Sequence, residues 1–120
     1  MITGVGTDFL EIQRIQKMLT RHRCIDRIFT TNELIYANNN AATLAGNFAV
    51  KEAVSKVFGT GFFGVEPFEI EVLRNEKGAP YVKLYGKTEE LAKELHIDRI
   101  HVSVTNTADF VQAFAVGECL

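Results

Sequence analysis

The spacing of apolar and polar residues along the chain predicts helices mainly in its first half and an antiparallel sheet in its second half. The helices are predicted at about residues 11–22, 30–38, 41–58 and 87–95, and the strands at residues 2–8, 67–75, 81–86, 99–106 and 110–116. Helices early and antiparallel strands late indicate an α+β fold, in which an antiparallel sheet packs with a long central helix. Neither a repeat nor a Pro/Gly/Ser-rich linker interrupts the pattern, so residues 1–120 are expected to form one domain.

Within the first predicted helix, apolar and basic residues fall on separate stripes. The apolar stripe contains Ile12, Ile15 and Leu19, and the basic stripe contains Arg14, Lys17 and Arg21, with Met18 between the two. The geometry that buries the isoleucines therefore exposes the basic side chains. This arrangement is typical of an interaction surface.

The charge balance supports a localised acidic partner. The chain has 13 Lys and Arg against 15 Asp and Glu, but most of the basic excess lies in residues 14–27 and the remainder is acidic. Such a distribution argues against general binding of nucleic acid and favours one acidic partner for the basic stripe. A solvated helix face without a partner is an equally good interpretation of the charge alone.

Two cysteines, Cys24 and Cys119, are too few for a disulfide framework, which favours a reducing compartment. The first residues lack the pattern of a signal peptide, and glycine or acidic residues interrupt each apolar run before it could cross a bilayer. A cytoplasmic protein without a membrane partner is expected.

The densest polar cluster lies on the predicted central helix. Glu52 and Lys56 are four residues apart, and the simplest interpretation is a helical ion pair. The helix ends at Gly59-Thr60-Gly61, where open backbone amides can receive a phosphate, and Asp8 ends a glycine-containing strand. Two carboxylates with a lysine nearby are also suited to Mg²⁺ and phosphate. Asp8 is alternatively a cap for the helix that begins near Glu11.

Other catalytic patterns are absent. The three histidines have neither a second His nor a Cys at metal-binding spacing. The sequence also lacks G-x-S-x-G, G-x-G-x-x-G and the Walker motif, so a serine hydrolase and the common nucleotide folds are unsupported.

Taken together, the motifs resemble the holo-acyl-carrier-protein synthases, the small bacterial phosphopantetheinyl transferases. The segments that carry the resemblance are Gly4-Val5-Gly6-Thr7-Asp8, Glu11-Ile12, Arg14-Ile15, Phe48-Ala49-Val50-Lys51-Glu52-Ala53, Ser55-Lys56, Gly59-Thr60-Gly61 and Gly78-Ala79-Pro80. The resemblance implies Mg²⁺-dependent transfer of 4′-phosphopantetheine from coenzyme A to a serine of apo acyl carrier protein, which releases adenosine 3′,5′-bisphosphate in fatty acid biosynthesis. It also implies a homotrimer whose active sites lie between subunits.

The resemblance implies roles for individual residues. Asp8 and Glu52 are expected to bind Mg²⁺ and, with Lys56, to form the catalytic group. The proton acceptor for the serine is then either Glu52 or a metal-bound water. The residues expected to contact coenzyme A are Lys51, Lys56, Gly59, Gly61, Pro80, Thr105 and Asn106, and those expected to contact the carrier protein are Arg14, Lys17, Met18 and Arg21.

Two positions differ from the family pattern. Asn47 stands where arginine is common, and Thr105-Asn106 stand where Ser-His is common. Both usual groups help to hold coenzyme A, so these changes bear on nucleotide binding and leave Asp8, Glu52 and Lys56 untouched. The alternatives are a non-catalytic module that binds an acidic carrier protein or coenzyme A, and a purely structural trimer.

Overall fold

The computed structural model describes residues 1–21 and 24–120 and has the predicted α+β architecture. Within these ranges the strands are β1 (Ile2–Glu11), β2 (Ile70–Arg74), β3 (Pro80–Leu84), β4 (Arg99–Asn106) and β5 (Phe110–Glu118). The helices are α1 (Ile12–Arg21), α2 (Ile25–Ile28), α3 (Thr31–Ala37), α4 (Ala41–Val57) and α5 (Gly86–Glu94), with a 3₁₀ turn at Pro67–Glu69. In this part of the chain, every helix is too short or too polar to span a bilayer.

The main sheet has the antiparallel order β1–β5–β4. Glu11 of β1 is opposite Phe110 of β5. Asn106 of β4 is opposite Val111 of β5, so β4 and β5 form the closing hairpin that the sequence predicts. Side chains alternate along β5, where Val111, Ala113 and Ala115 are buried. A separate antiparallel pair joins β2 to β3.

Helix α4 is buried along most of its length because small side chains allow it to approach its neighbours closely. Ala45, Ala49 and Ala53 are four residues apart and completely buried, so they form one stripe on the helix. Asn40 caps the helix, since its Oδ1 accepts a hydrogen bond of 3.0 Å from the backbone N–H of Thr43. The helix packs against β1, β4 and β5.

Glycines in β1 bring its backbone against that of α4. A Cβ at Gly6 would collide with the carbonyl oxygen of Ala53, and a Cβ at Gly4 would lie 2.7 Å from the carbonyl oxygen of Val57. These two glycines therefore mark a close approach of the β1 backbone to the α4 backbone. Residues of β1 on the helix-facing side are consequently held beside α4.

Several predicted boundaries are wrong by a few residues. β1 continues to Glu11 and α1 begins at Ile12, so Asp8 lies inside a strand and does not cap the helix. The strand predicted from residue 67 begins at Ile70, because Pro67 opens a 3₁₀ turn. The short helix α2 was not predicted. His22, the expected last residue of the first helix, lies outside the described residues.

Candidate active site

The helix-facing side of β1 presents Asp8 to α4. Asp8 follows Gly6 by two residues, so both lie on the same face of the strand. Its side chain is only 11% exposed, and its Oδ2 atom is buried without a hydrogen-bond partner. A buried carboxylate oxygen is costly unless a hydrogen bond or a cation compensates its charge.

Lys56 lies one helical turn after Glu52 and contacts β1. Its Nζ donates a hydrogen bond of 2.8 Å to the carbonyl oxygen of Thr7 and lies 3.8 Å from Oδ1 of Asp8. The lysine side chain remains 50% exposed, so its ammonium is both held by the strand and open to solvent. The ion pair observed for Lys56 is with Asp8, in place of the helical pair with Glu52 expected from spacing alone.

Glu52 and Asp8 form a pair of neighbouring carboxylates. Partial burial is the largest cause that raises the pKa of Glu52 to about 7, and the neighbouring carboxylate of Asp8 adds to it, while Arg14 and Lys56 act in the opposite direction. Two carboxylates this close repel each other unless a proton or a cation lies between them.

The pair has the chemistry required for Mg²⁺, which takes oxygen ligands and is often held by one or two carboxylates with phosphate oxygens and water. The unpartnered Oδ2 of Asp8 fits this assignment. The described residues contain no group of three or more His, Cys, Asp or Glu side chains suited to a metal. Asp8 and Glu52 therefore fit a cation that completes its coordination with substrate and water.

The glycine segment after α4 has the backbone conformation expected of a glycine-rich terminator. Gly59 and Gly61 have φ values of 81° and 59°, and a Cβ at either position would meet open space. The N–H of Gly59, however, donates a hydrogen bond of 2.9 Å to the carbonyl oxygen of Lys56. This amide closes the helix, so the prediction that the Gly59 amide is open for a phosphate is wrong.

Lys51 does not reach the surface, which contradicts its predicted contact with coenzyme A. Its side chain is completely buried in an ion pair with Glu33, and its Nζ also donates to the carbonyl oxygens of Pro67 and Ile70. An ammonium has three donors, and all three are used within the protein. Burial also lowers the pKa of Lys51, although Glu33 opposes this effect.

Thr105 and Asn106 lie on opposite faces of the main sheet. Thr105 is aligned with Phe9 through Gln112, on the face away from α4, whereas Asn106 is aligned with Leu10 through Val111, on the helix-facing side. Thr105 and Asp8 consequently cannot contact the same small ligand from within one chain. Pro80 begins β3 in the other sheet, opposite Arg74.

The basic stripe of α1 lines a groove of about 680 Å³, whose walls are Arg14, Lys17, Met18, Arg21 and Cys24. Arg14, Lys17 and Arg21 are exposed, whereas Ile12 and Ile15 are buried, as the two stripes predict. The positive charge of Arg14 also acts on Glu52. Arg14 therefore belongs both to the groove and to the electrostatic surroundings of Glu52.

Glu33 is a residue that sequence reasoning missed. It lies at the third position of α3, where its side chain accepts a hydrogen bond from the backbone N–H of Thr30 in a capping box. The Thr-x-x-Glu spacing of residues 30–33 is a recognisable signal for this motif. The ion pair with Lys51 is a tertiary contact and has no such local signal.

Both the fold and the sequence have clear counterparts among known proteins. Residues 4–115 match the sequence profile of the 4′-phosphopantetheinyl transferase superfamily. The chain belongs to this superfamily.

Within the superfamily, the chain is similar to proteins named holo-[acyl-carrier-protein] synthase. It is 50% identical to one from Lachnoclostridium phytofermentans, over 100% of this chain and 98% of the relative. It is 41% identical to one from Halothermothrix orenii, over 98% of each.

Solved structures with the same name have the same fold. The synthase from Neisseria meningitidis superposes with a TM-score of 0.89 at 32% identity, covering 98% of this chain and 99% of that one. The synthase from Bacillus anthracis, solved in complex with CoA (3′,5′-ADP), superposes with a TM-score of 0.82 at 34% identity, covering 100% of this chain and 99% of that one.

Proposed function

We propose that this protein is a phosphopantetheinyl transferase that moves 4′-phosphopantetheine from coenzyme A to a serine hydroxyl of apo acyl carrier protein. Adenosine 3′,5′-bisphosphate is the second product. The proposal rests on the Asp8–Glu52–Lys56 group, which joins two carboxylates to a solvent-accessible ammonium in a chain of this superfamily. It is consistent with relatives that are named for this reaction.

In the reaction, a bond forms between the serine oxygen and the β-phosphorus of coenzyme A, and the bond to the leaving bisphosphate breaks. The serine hydroxyl gives up its proton to a base, either Glu52 or a water molecule. Such transfers depend mostly on alignment and on neutralisation of charge. Asp8 and Glu52 would hold Mg²⁺, which when bound supplies positive charge to the pyrophosphate. The ammonium of Lys56, oriented by the carbonyl oxygen of Thr7, adds a second positive charge for the leaving phosphate.

The rest of the proposed coenzyme site consists of Gly61, Pro80, Thr105 and Asn106. Gly61 is included because its φ value of 59° and the open space around it leave the backbone accessible. Asn106 is included because it is exposed on the helix-facing side of the sheet.

The proposed quaternary structure is a homotrimer with active sites between subunits. The sheet face away from α4 is uncovered and carries exposed apolar side chains, with Val5 56%, Phe9 64% and Phe114 48% exposed. The rings of Phe9 and Phe110 stack at 4.9 Å on the same face. Thr105 shares this face, so association of subunits offers the way for Thr105 and Asp8 to meet one coenzyme A.

Replacement of Phe114 by Glu is a direct test of that interface. A carboxylate at this position should dissociate the proposed trimer, because association would bury an unpaired charge, which is costly to desolvate. Light scattering coupled to size exclusion measures the mass. A trimer that persists in this variant at micromolar concentration would mean that this face is not the interface.

The carrier protein is proposed to bind in the α1 groove. Arg14, Lys17 and Arg21 would face an acidic helix, and Met18 would supply an apolar contact. Charge complementarity of this kind accelerates encounter and weakens as salt increases. The proposed location is the cytoplasm, where the free cysteines Cys24 and Cys119 remain reduced.

The decisive experiment is the mass shift of apo carrier protein incubated with this protein, coenzyme A and Mg²⁺. Addition of one phosphopantetheine with release of the bisphosphate is the expected result, and EDTA should abolish it. Binding of the carrier protein without a mass change would instead support a non-catalytic module, which the departures at Asn47 and Asn106 would favour. Binding of neither ligand would leave a structural trimer.

A further inference from the structure

Lys51 and Glu33 form a buried ion pair that joins four parts of the fold. Both side chains are completely buried, and Nζ of Lys51 lies 2.7 Å from Oε1 of Glu33. The same Nζ donates to the carbonyl oxygen of Pro67 at 2.9 Å and to that of Ile70 at 2.6 Å. The pair thus connects α4 with α3, with the 3₁₀ turn and with β2.

Glu33 is itself held in place from two directions. Its Oε1 accepts a hydrogen bond of 2.9 Å from the backbone N–H of Thr30, and the N–H of Glu33 donates to Oγ1 of Thr30. Its Oε2 accepts a hydrogen bond of 3.4 Å from the N–H of Val72 in β2. The carboxylate of Glu33 is therefore held in place independently of its ion pair with Lys51.

The loop at residues 58–66 begins at the end of α4 and ends just before Pro67. The carbonyl oxygen of Pro67 accepts a hydrogen bond from Lys51. Gly59, Gly61 and Gly64 in this loop have φ values of 81°, 59° and 75°, and a Cβ at any of them would meet open space. Phe58 and Val65 are buried at the two ends of the loop, whereas the three glycines between them have no side chain to pack. The hydrogen bond from Lys51 to the carbonyl oxygen of Pro67 adds a polar contact between the far end of the loop and α4.

We propose that Lys51, held by Glu33, is a positioning residue for coenzyme A. It sets the distance spanned by loop 58–66, which carries Gly61, and it fixes the rotation of α4 one residue before Glu52. It contacts neither substrate. This inference rests on the function proposed above, because it assigns a role in building that same site.

The energetics of buried ion pairs support a role beyond stability. Replacing both members of such a pair by uncharged groups is often neutral or stabilising, whereas removing one member is strongly destabilising. The stability of the fold alone therefore does not require an ion pair at this position. The two carbonyl contacts of Lys51, in contrast, have no replacement once the ammonium is removed.

The test compares Glu33→Gln with the double variant Glu33→Gln/Lys51→Met. Glutamine is also suitable at the third helix position of a capping box, so the single variant keeps the cap and both carbonyl contacts of Lys51. The double variant removes the charge from both partners and, in addition, frees the carbonyl oxygens of Pro67 and Ile70. Thermal unfolding and solution mass establish that each variant is folded and assembled.

We expect the double variant to unfold at or above the temperature of the single variant, because the single variant leaves the buried ammonium of Lys51 without its counter-charge. The double variant should nevertheless show a KM for coenzyme A about tenfold higher, since loss of alignment is costly. The KM for carrier protein should not change. Lys51→Gln in the same background keeps two of the three donors and should give an intermediate KM for coenzyme A. This graded response would not follow from stability alone, and it remains measurable if the Met variant folds poorly.

An unchanged KM for coenzyme A in the double variant, or an equal increase in both KM values, would overturn the proposal. Calorimetric titration of the wild-type protein with coenzyme A separates this failure from that of the proposed function. If the wild-type protein does not bind coenzyme A, the proposed function fails. If the wild-type protein and the double variant bind it equally, only the role of Lys51 fails.

Discussion

Replacement of Glu52 by Gln should stabilise the metal-free protein at alkaline pH while abolishing its activity. The folded carboxyl of Glu52 keeps its proton up to about pH 7, whereas the ordinary value for an unfolded glutamate is 4.5. Between these values the folded state binds more protons than the unfolded state. The free energy of unfolding therefore falls as pH rises through this range, and the loss is complete above about pH 7.

The size of the effect follows from the difference between the pKa of Glu52 in the folded and in the unfolded protein. A fully shielded group with this shift would account for about 3 kcal/mol. Glu52 is only half-buried, so solvent screening reduces the expected contribution to about 1–2 kcal/mol. The glutamine side chain of the Glu52→Gln variant would carry no charge, and its amide group would be placed to donate to the unpartnered Oδ2 of Asp8.

Denaturant unfolding with EDTA, at pH 5 and pH 8 and at one protein concentration, measures this difference. Glu52→Gln should exceed the wild type in stability at pH 8 and approach it at pH 5, and Mg²⁺ should stabilise only the wild type. Glu89→Gln, on an exposed helical ion pair with Lys93, is the control and should change little. A less stable Glu52→Gln protein at pH 8, or one with full transfer activity, would refute the carboxylate-pair reasoning.

Four further predictions concern docking, the packing of two glycines and an orphaned amide. Lys17→Glu should raise the KM for carrier protein about tenfold and leave that for coenzyme A unchanged, with a weaker salt dependence; equal changes in both KM values would exclude the α1 groove as the docking site. Gly6→Ala should lower the free energy of unfolding by about 3 kcal/mol or more, because its Cβ would meet the carbonyl of Ala53. Gly46→Ala, whose Cβ would lie an acceptable 3.4 Å from the nearest side-chain atom, should instead be tolerated or slightly stabilising in the same unfolding assay. Asn47→Leu should raise the free energy of unfolding by about 1 kcal/mol, because Asn47 is buried with both amide atoms unpaired. A variant that is less stable than the wild type in denaturant unfolding would indicate that the amide of Asn47 is satisfied in solution.

Much of the secondary structure follows from local sequence patterns, and the structure has helices and strands where these patterns predict them. The stripes of α1, the glycine termination of α4 and the alternation of β4 and β5 depend on neighbours a few residues apart, and these elements are confirmed. The errors occur where a local signal competes with a tertiary one. Asp8 was a reasonable helix cap by type, but strand pairing with Ala113 extends β1 past it.

The candidate site was predicted in its residue types better than in its arrangement. Asp8, Glu52 and Lys56 were proposed from spacing and resemblance, and the structure brings them together. The contact of Lys51 with coenzyme A was expected from the family resemblance, in which Lys51 directly precedes Glu52 in the same motif. Consecutive helical residues point about 100° apart, however, and one of these two side chains faces the core.

The sequence by itself determined that α4 would form, and it supplied the residues of the carboxylate pair. Only the tertiary structure decided which direction each α4 side chain takes, because this helix is apolar on most of its circumference and has no single polar stripe to orient it. Gly4 and Gly6 dock β1 against one side of the helix, and Glu33 holds Lys51 on another. Those contacts join residues far apart in the chain, so no local pattern contains them.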